Sequence, residues 1–204
     1  MSAVEVRPAG ERGALVELPD NTAVHELASA LEPLRGSALE EIVPGDRTLL
    51  LVWRDEAPPA SAVERLVAEA GRADLPPAAA PVELTVAYDG PDLEQVAEAC
   101  AVSVGEFVER HSAADYRVAF LGFAPGFAYL TGGDPALAPP RRDEPRTRVP
   151  AGALAIAGPY SAVYPRESPG GWNLVGSCEA RLFDPSQDRP ALLVAGASVR
   201  LVPS

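Results

Sequence analysis

The stretch Tyr116–Gly176 reads YRVAFLGFAPGFAYLTGGDPALAPPRRDEPRTRVPAGALAIAGPYSAVYPRESPGGWNLVG. Its short apolar segments are separated by glycine and proline rather than by long polar loops. Glycine reaches backbone conformations closed to other residues, and proline fixes its own φ, so this punctuation specifies loops. Short strands at close spacing with such breaks predict a closed or nearly closed β structure. Ordered loops on a rigid scaffold are where binding and catalysis concentrate.

Immediately upstream, VELTVAY at 82–88 predicts a strand. Asp92 and Gln95 then open a helix with Leu93, Val96, Ala97 and Cys100 on one face. Ser103 and Glu106 open a second, with Val104, Phe107, Val108 and His111 together. Further back, VEVRP at 4–8 and ALVEL at 14–18 are extended candidates. Residues 21–34 carry Val24, Leu27, Ala28, Leu31 and Leu34 at helical spacing behind the cap Asp20, with His25 placed towards solvent. ALEEIV at 38–43 and TLLLVW at 48–53 flank the turn Pro44-Gly45-Asp46, a hairpin signal. Ser61 and Glu64 read as a capping box before a last helix that Gly71 ends. The order is ββαββα, an antiparallel sheet with two helices on one face. LPPAAAP at 75–81 reads as a linker, which divides the chain into an α+β domain at 1–80 and a mostly-β domain at 81–204.

Composition excludes several functions. All 17 basic residues are arginine, so neither a lysine Schiff base nor a phosphate loop with its lysine can form. An anion bound by this chain must meet arginine, backbone N–H groups or a partner. The net charge of −12 argues against nucleic acid. No apolar run approaches the ~20 residues of a membrane span. There is no basic-then-apolar leader, and Cys100 and Cys178 make no disulfide framework, which together predict a cytoplasmic protein. Neither cysteine has an activating neighbour or metal-ligand spacing, so no structural metal is expected.

Three blocks in order, GFAPGFAYL, PRRDEPRTRVPAG and YPRESPGGW followed by LVG, resemble the signatures of the KipI / allophanate hydrolase subunit 1 family. Weaker similarity runs through EIVPGDRTLLLVW and HSAADYRV, so the resemblance covers nearly the whole chain. It implies a cyclophilin-like barrel and a subunit of a bacterial ATP-dependent 5-oxoprolinase, with ATP and magnesium as co-substrate. It also implies a C-type partner subunit, an A-type subunit in the full enzyme, and no activity for this chain alone. Two other roles occur among relatives: a binding module that inhibits a histidine kinase, and a subunit of urea or allophanate metabolism.

The candidate residues follow from chemistry and from these blocks. His111 titrates near neutrality and is read as a proton carrier at the barrel mouth, or else as a helix-ending structural residue. Arg141, Arg142, Arg146 and Arg148 alternate with prolines that hold the segment extended, and a guanidinium suits carboxylate or phosphate. The family motif favours Arg141, Arg146 and Arg148 over Arg142. It makes Arg146 and Arg148 catalytic beside His111, and Arg141 substrate-binding; solvated charge is the alternative. Ser168, Gly170, Gly171 and Trp172, preceded by Tyr164, could form a backbone nest with an aromatic wall, or a tight turn. Phe123, Phe127 and Tyr129 fall on one side by alternation, as a groove or as core, with Phe123 and Tyr129 taken for the groove. The chain departs from the family at Ala153, at Tyr160-Ser161-Ala162 and at Ser177-Cys178, where specificity is expected to differ if these positions touch substrate.

Overall fold

The computed structural model describes residues 4–71 and 80–204. Two compact units emerge, Met1–Ala78 and Ala79–Ser204. The stretch 75–81 read as a linker lies, up to residue 79, outside the described residues.

The first unit runs β1 (Glu5–Pro8), β2 (Gly13–Glu17), α1 (Asn21–Leu31), a 3-10 turn (Glu32–Leu34), β3 (Leu39–Pro44), β4 (Thr48–Trp53) and α2 (Ala60–Ala70). Its strands form one antiparallel sheet in the order β1-β2-β4-β3. Leu49, Leu51 and Trp53 alternate on β4, and with Ala14 and Val16 of β2 they meet Val24, Leu27 and Leu31 of α1 and Val63 and Val67 of α2. The Asp20 side chain accepts from the Ala23 N–H at 2.8 Å and caps α1. Three expectations need correction. The α-helix stops at Leu31 rather than 34, because Pro33 lacks an N–H and the chain tightens into the 3-10 turn. His25 is buried, because the covered arc of α1 takes in Ala23–His25 as well as Leu27 and Leu31. The Ser61–Glu64 capping box does not form, since the extended-to-helix change falls at Pro59 and Ser61 is already helical.

The second unit runs β5 (Val82–Ala87), α3 (Leu93–Ala99), α4 (Val104–Ser112), β6 (Tyr116–Leu121), β7 (Ala128–Thr131), β8 (Arg146–Val149), β9 (Ala153–Ala157), β10 (Tyr160–Val163), β11 (Ser168–Gly170), β12 (Asn173–Cys178) and β13 (Ser198–Pro203). Seven of these strands close a barrel in the order β10-β7-β6-β13-β5-β12-β9, and β8 and β11 pair as a separate ribbon. Only β5 and β13 run parallel within it. Alternation sorts the strands into two apolar layers. Leu154 and Ile156 of β9, Leu130 of β7, Val163 of β10 and Val175 of β12 fill the interior with Phe107 of α4. Ala153, Ala155 and Ala157 of β9, Ala162 of β10 and Leu174 of β12 point outwards. The small alanines leave room for aromatic rings to lie directly on the strands, and that outer layer gathers the aromatic candidates.

Candidate functional site

Seven aromatic rings cover the alanine-paved outer face. Phe120 of β6 stacks on Tyr129 of β7, with centroids 4.2 Å apart, and both meet Tyr160 at 5.7 and 5.8 Å. Tyr129 continues to Trp172 at 5.6 Å, Trp172 to Phe127 at 5.8 Å, and Phe127 to Tyr164 at 5.2 Å. Phe123 closes the series, 5.1 Å from Phe127. Phe127, Tyr164 and Trp172 are buried, whereas Phe123 is 59% exposed. Its backbone sits at φ +63°, in the left-handed region that a phenylalanine enters only at a cost. Strain of this kind makes Phe123 a candidate for function rather than for packing.

The proline-arginine segment borders this face. The Asn173 side-chain amide donates to the Pro140 carbonyl at 2.8 Å, and the Arg142 N–H donates to the Gly171 carbonyl at 2.9 Å. Between these anchors Arg141 sets its guanidinium over the Trp172 ring, 5.9 Å from the centroid. Arg142 and Arg146 turn the other way and donate to one oxygen of Asp92, at 3.0 and 2.7 Å. The second Asp92 oxygen accepts the Leu174 N–H at 2.7 Å. Asp92 is buried, which alone would raise its carboxyl; the bonds from Arg146 and Leu174 and the charges of Arg146 and Arg142 outweigh that and hold it below the usual range. Arg142 Nε and Arg146 Nη1 are buried with no hydrogen-bond partner, and among the described residues Asp92 is the acid paired with both arginines.

These contacts group the arginines differently from the family motif. Arg142 and Arg146 cannot be separated, because one carboxylate holds both. Arg148 is 76% exposed and pairs with Glu167 at 2.6 Å, also out in solvent. Such surface pairs contribute little.

His111 does not face an open mouth. It is 1% exposed, stacked on Phe107 inside the barrel, with Nδ1 2.8 Å from the Tyr88 hydroxyl and Nε2 2.8 Å from Ser161 Oγ. Burial pushes its pKa down to about 4, so the ring is neutral at pH 7. An unfolded histidine takes up its proton near ~6.5. Between these values the unfolded chain binds a proton that the folded chain refuses, so stability falls as pH drops from 6.5 to 4 and levels off below. The expected loss is about 3 kcal/mol. Urea unfolding across this range should show it, and His111→Gln should flatten that slope; an unchanged slope would assign it to another group.

The remaining candidates divide. Ser168 Oγ reaches the Arg166 carbonyl at 3.5 Å, and the ring nitrogens of His111 are taken by other groups. Gly170 is required by the Tyr164 hydroxyl, which would collide with any Cβ there. Its role is therefore close packing of the ribbon on the aromatic layer. Gly171 supplies the carbonyl that anchors Arg142. Burial raises the Tyr164 hydroxyl, with Tyr129 adding to this, while Arg141 and Arg146 act to lower it. That places Tyr129, Arg141 and Arg146 within electrostatic reach of Tyr164.

The positions that depart from the family motif also resolve. Ala153 and Ala162 sit in ordinary strands on the outer layer, and Ala162 keeps a negative φ. Tyr160 joins the aromatic face, Ser161 binds His111, and Ser177 Oγ donates to Asp89 at 2.9 Å.

Sequence reasoning missed Asp92, which it read as a helix cap; no cap bond forms. It also missed Phe120, whose outward register was visible only as strand alternation, and it named Tyr160 only as a departure from the family motif.

Comparison with known proteins agrees with this architecture. The family described as carboxyltransferase domain, subdomain C and D, matches residues 4–193. The 5-oxoprolinase B subunit of Escherichia coli O157:H7 is 45% identical over 169 residues, 80% of this chain and 77% of that protein. The solved structure of TTHA0988 superposes with a TM-score of 0.82 at 34% identity, over 98% of this chain and 41% of that one. This chain thus spans about two fifths of TTHA0988. The K. lactis urea amidolyase shares the fold alone, with a TM-score of 0.77 at 20% identity over 98% of this chain and 15% of that one. The chain belongs to the carboxyltransferase subdomain C and D family and, within it, to the 5-oxoprolinase B subunits.

Proposed function

We propose that this chain is the B-type subunit of a cytoplasmic, ATP-dependent 5-oxoprolinase and that the aromatic outer face of its barrel holds the lactam. The observation that carries the reading is Arg141, held over Trp172 at the edge of that face. A guanidinium in this place suits the 5-oxoproline carboxylate, and the rings of Tyr129 and Tyr160 suit its flat apolar edge. The lactam carbonyl is a poor electrophile. Transfer of the γ-phosphoryl group of ATP to its oxygen, with release of ADP, creates a leaving group. Attack by water on that carbon, opening of the C–N bond and loss of phosphate then give glutamate. Arg142 and Arg146, both bonded to Asp92, support Arg141 rather than the reacting atoms in this reading.

Magnesium would come with the nucleotide, because the described residues hold no cluster of three or more His, Cys, Asp or Glu for it. His111, neutral and fully engaged, fixes Ser161 of β10 beneath the face and transfers no proton in this reading. The cyclophilin-like identity of the barrel, implied by the sequence blocks, is part of the same proposal. No described helix is long and apolar enough to cross a membrane.

The ATP site is completed by a C-type subunit, with an A-type subunit in the full enzyme. Phe123 is placed as an anchor for a partner. Phe123→Gly should release backbone strain, raising stability by up to ~1 kcal/mol, while weakening assembly by about tenfold or more. Thermal unfolding and sedimentation of the mixture would check both; unchanged assembly would remove Phe123 from the interface.

The reading is tested by reconstitution. The three subunits together should hydrolyse ATP only when 5-oxoproline is present, and omission of this chain should abolish the turnover. ATP hydrolysis that ignores 5-oxoproline, or persists without this chain, would overturn it.

A further inference from the structure

The segment that carries Arg141 has little regular structure of its own. Residues 139–145 lie between β7 and β8 and belong to no strand or helix. Their conformation is therefore set by what they are tied to. Besides the Gly158 N–H, which donates to the Pro139 carbonyl at 2.7 Å, three ties hold the residues around Arg141, and two of them meet at the start of β12. Asn173 holds the Pro140 carbonyl, and Gly171 holds the Arg142 N–H. The third is the Asp92 carboxylate, which takes the side chains of Arg142 and Arg146 on one oxygen and the Leu174 N–H on the other. The Asp92 N–H returns a bond to the Leu174 carbonyl at 3.0 Å. Gly90 lets this turn lie against the backbone of Leu174–Gly176, where a Cβ would collide.

We infer that Asp92 is a positioning residue: it clamps Arg142 and Arg146 to β12 and so presents the neighbouring Arg141 over Trp172 for a carboxylate. Asp92 touches neither lactam nor nucleotide. It fixes the residue on one side of Arg141 and the start of the ribbon that follows. An extended segment with one residue pinned at each flank leaves its middle side chain few directions, and the Trp172 face then selects one. Two guanidinium groups meet on one carboxylate that is itself 5% exposed, so this tie is buried on the acid's side, unlike a surface pair. The functional half of this inference rests on the 5-oxoprolinase reading; the positional half does not.

Two measurements keep these halves apart. The chain has two tryptophans, so Trp53→Phe leaves Trp172 as the reporter of Arg141. In that background Asp92→Asn should shift Trp172 emission as Arg141→Gln does, and the double variant should show no further shift. Unchanged Trp172 emission in Asp92→Asn beside a clear change in Arg141→Gln would overturn the positioning role. In the reconstituted complex, Asp92→Asn should raise KM for 5-oxoproline roughly tenfold or more, with KM for ATP and kcat within about threefold of wild type. Combined with Arg141→Gln, it should add nothing to KM, because it acts through Arg141. Additive effects, or an equal loss in every parameter, would assign Asp92 a general structural role and contradict the inference. If the wild-type complex ignores 5-oxoproline, the functional reading falls while the fluorescence cycle still decides the positioning. Should Asp92→Asn fail to fold, Asp92→Glu retains the charge with a longer reach; it should restore folding and displace Trp172 emission, and wild-type emission there would count against the inference.

Discussion

Replacing Arg141 with glutamine is expected to lower kcat/KM for 5-oxoproline in the reconstituted enzyme by about 30- to 3,000-fold. Removing an arginine from a desolvated carboxylate costs on the order of 2–5 kcal/mol, and each 1.4 kcal/mol is a factor of ten. The loss should appear in KM if the carboxylate is gripped equally in ground and transition states, and in kcat if the grip tightens during phosphoryl transfer. The fold should be unaffected, because Arg141 is exposed and its guanidinium lies over the Trp172 ring rather than in a core. Arg148→Gln provides the comparison: this residue pairs with Glu167 in solvent and should change kcat/KM by less than about threefold. Equal effects from the two substitutions would show that the segment acts only through its net charge.

The second large effect falls on stability. Asp92→Ala should destabilise the barrel unit by about 2–4 kcal/mol, since breaking a buried ion pair leaves its partners uncompensated. The partial exposure of Arg142 and Arg146 keeps the figure below the full range for buried pairs. The pH dependence carries the sign. The folded Asp92 carboxyl titrates below its unfolded value, so its contribution is complete above about pH 4 and is lost as pH falls through the folded pKa. Wild type and Asp92→Ala should therefore differ most near neutrality and converge in acid. A constant difference down to low pH would mean that Asp92 acts by packing rather than by charge.

Much of this organisation was legible in the sequence because it rests on local rules. The Pro44-Gly45-Asp46 turn joins β3 to β4, Asp20 and Ser103 cap their helices, and closely spaced strands close into a barrel. The aromatic candidates Phe123, Tyr129, Tyr164 and Trp172 converge because strand alternation and the loops around β7 and β12 put them on one side. The illegible parts depend on distant pairing. Asp92 looks like a helix cap from its neighbours, and nothing local reveals two arginines 50 and 54 residues away. His111 sits on an apolar helical face, a pattern shared by a core residue and a residue at a pocket. The decision came from Tyr88 and Ser161, which are 23 and 50 residues distant and occupy both ring nitrogens. The failed capping box at Ser61 has a nearer cause, since Pro59 fixes the helix start before the box can act.

The central claim is that the lactam lies on the aromatic outer face with its carboxylate on Arg141. A crystal structure of the reconstituted complex with 5-oxoproline and a non-hydrolysable ATP analogue tests it most directly. The account predicts the carboxylate within hydrogen-bonding distance of the Arg141 guanidinium and the ring against Tyr129 or Tyr160, with Asp92 still bonded to Arg142 and Arg146. Density for 5-oxoproline that touches none of Arg141, Tyr129, Tyr160 and Trp172 would contradict it.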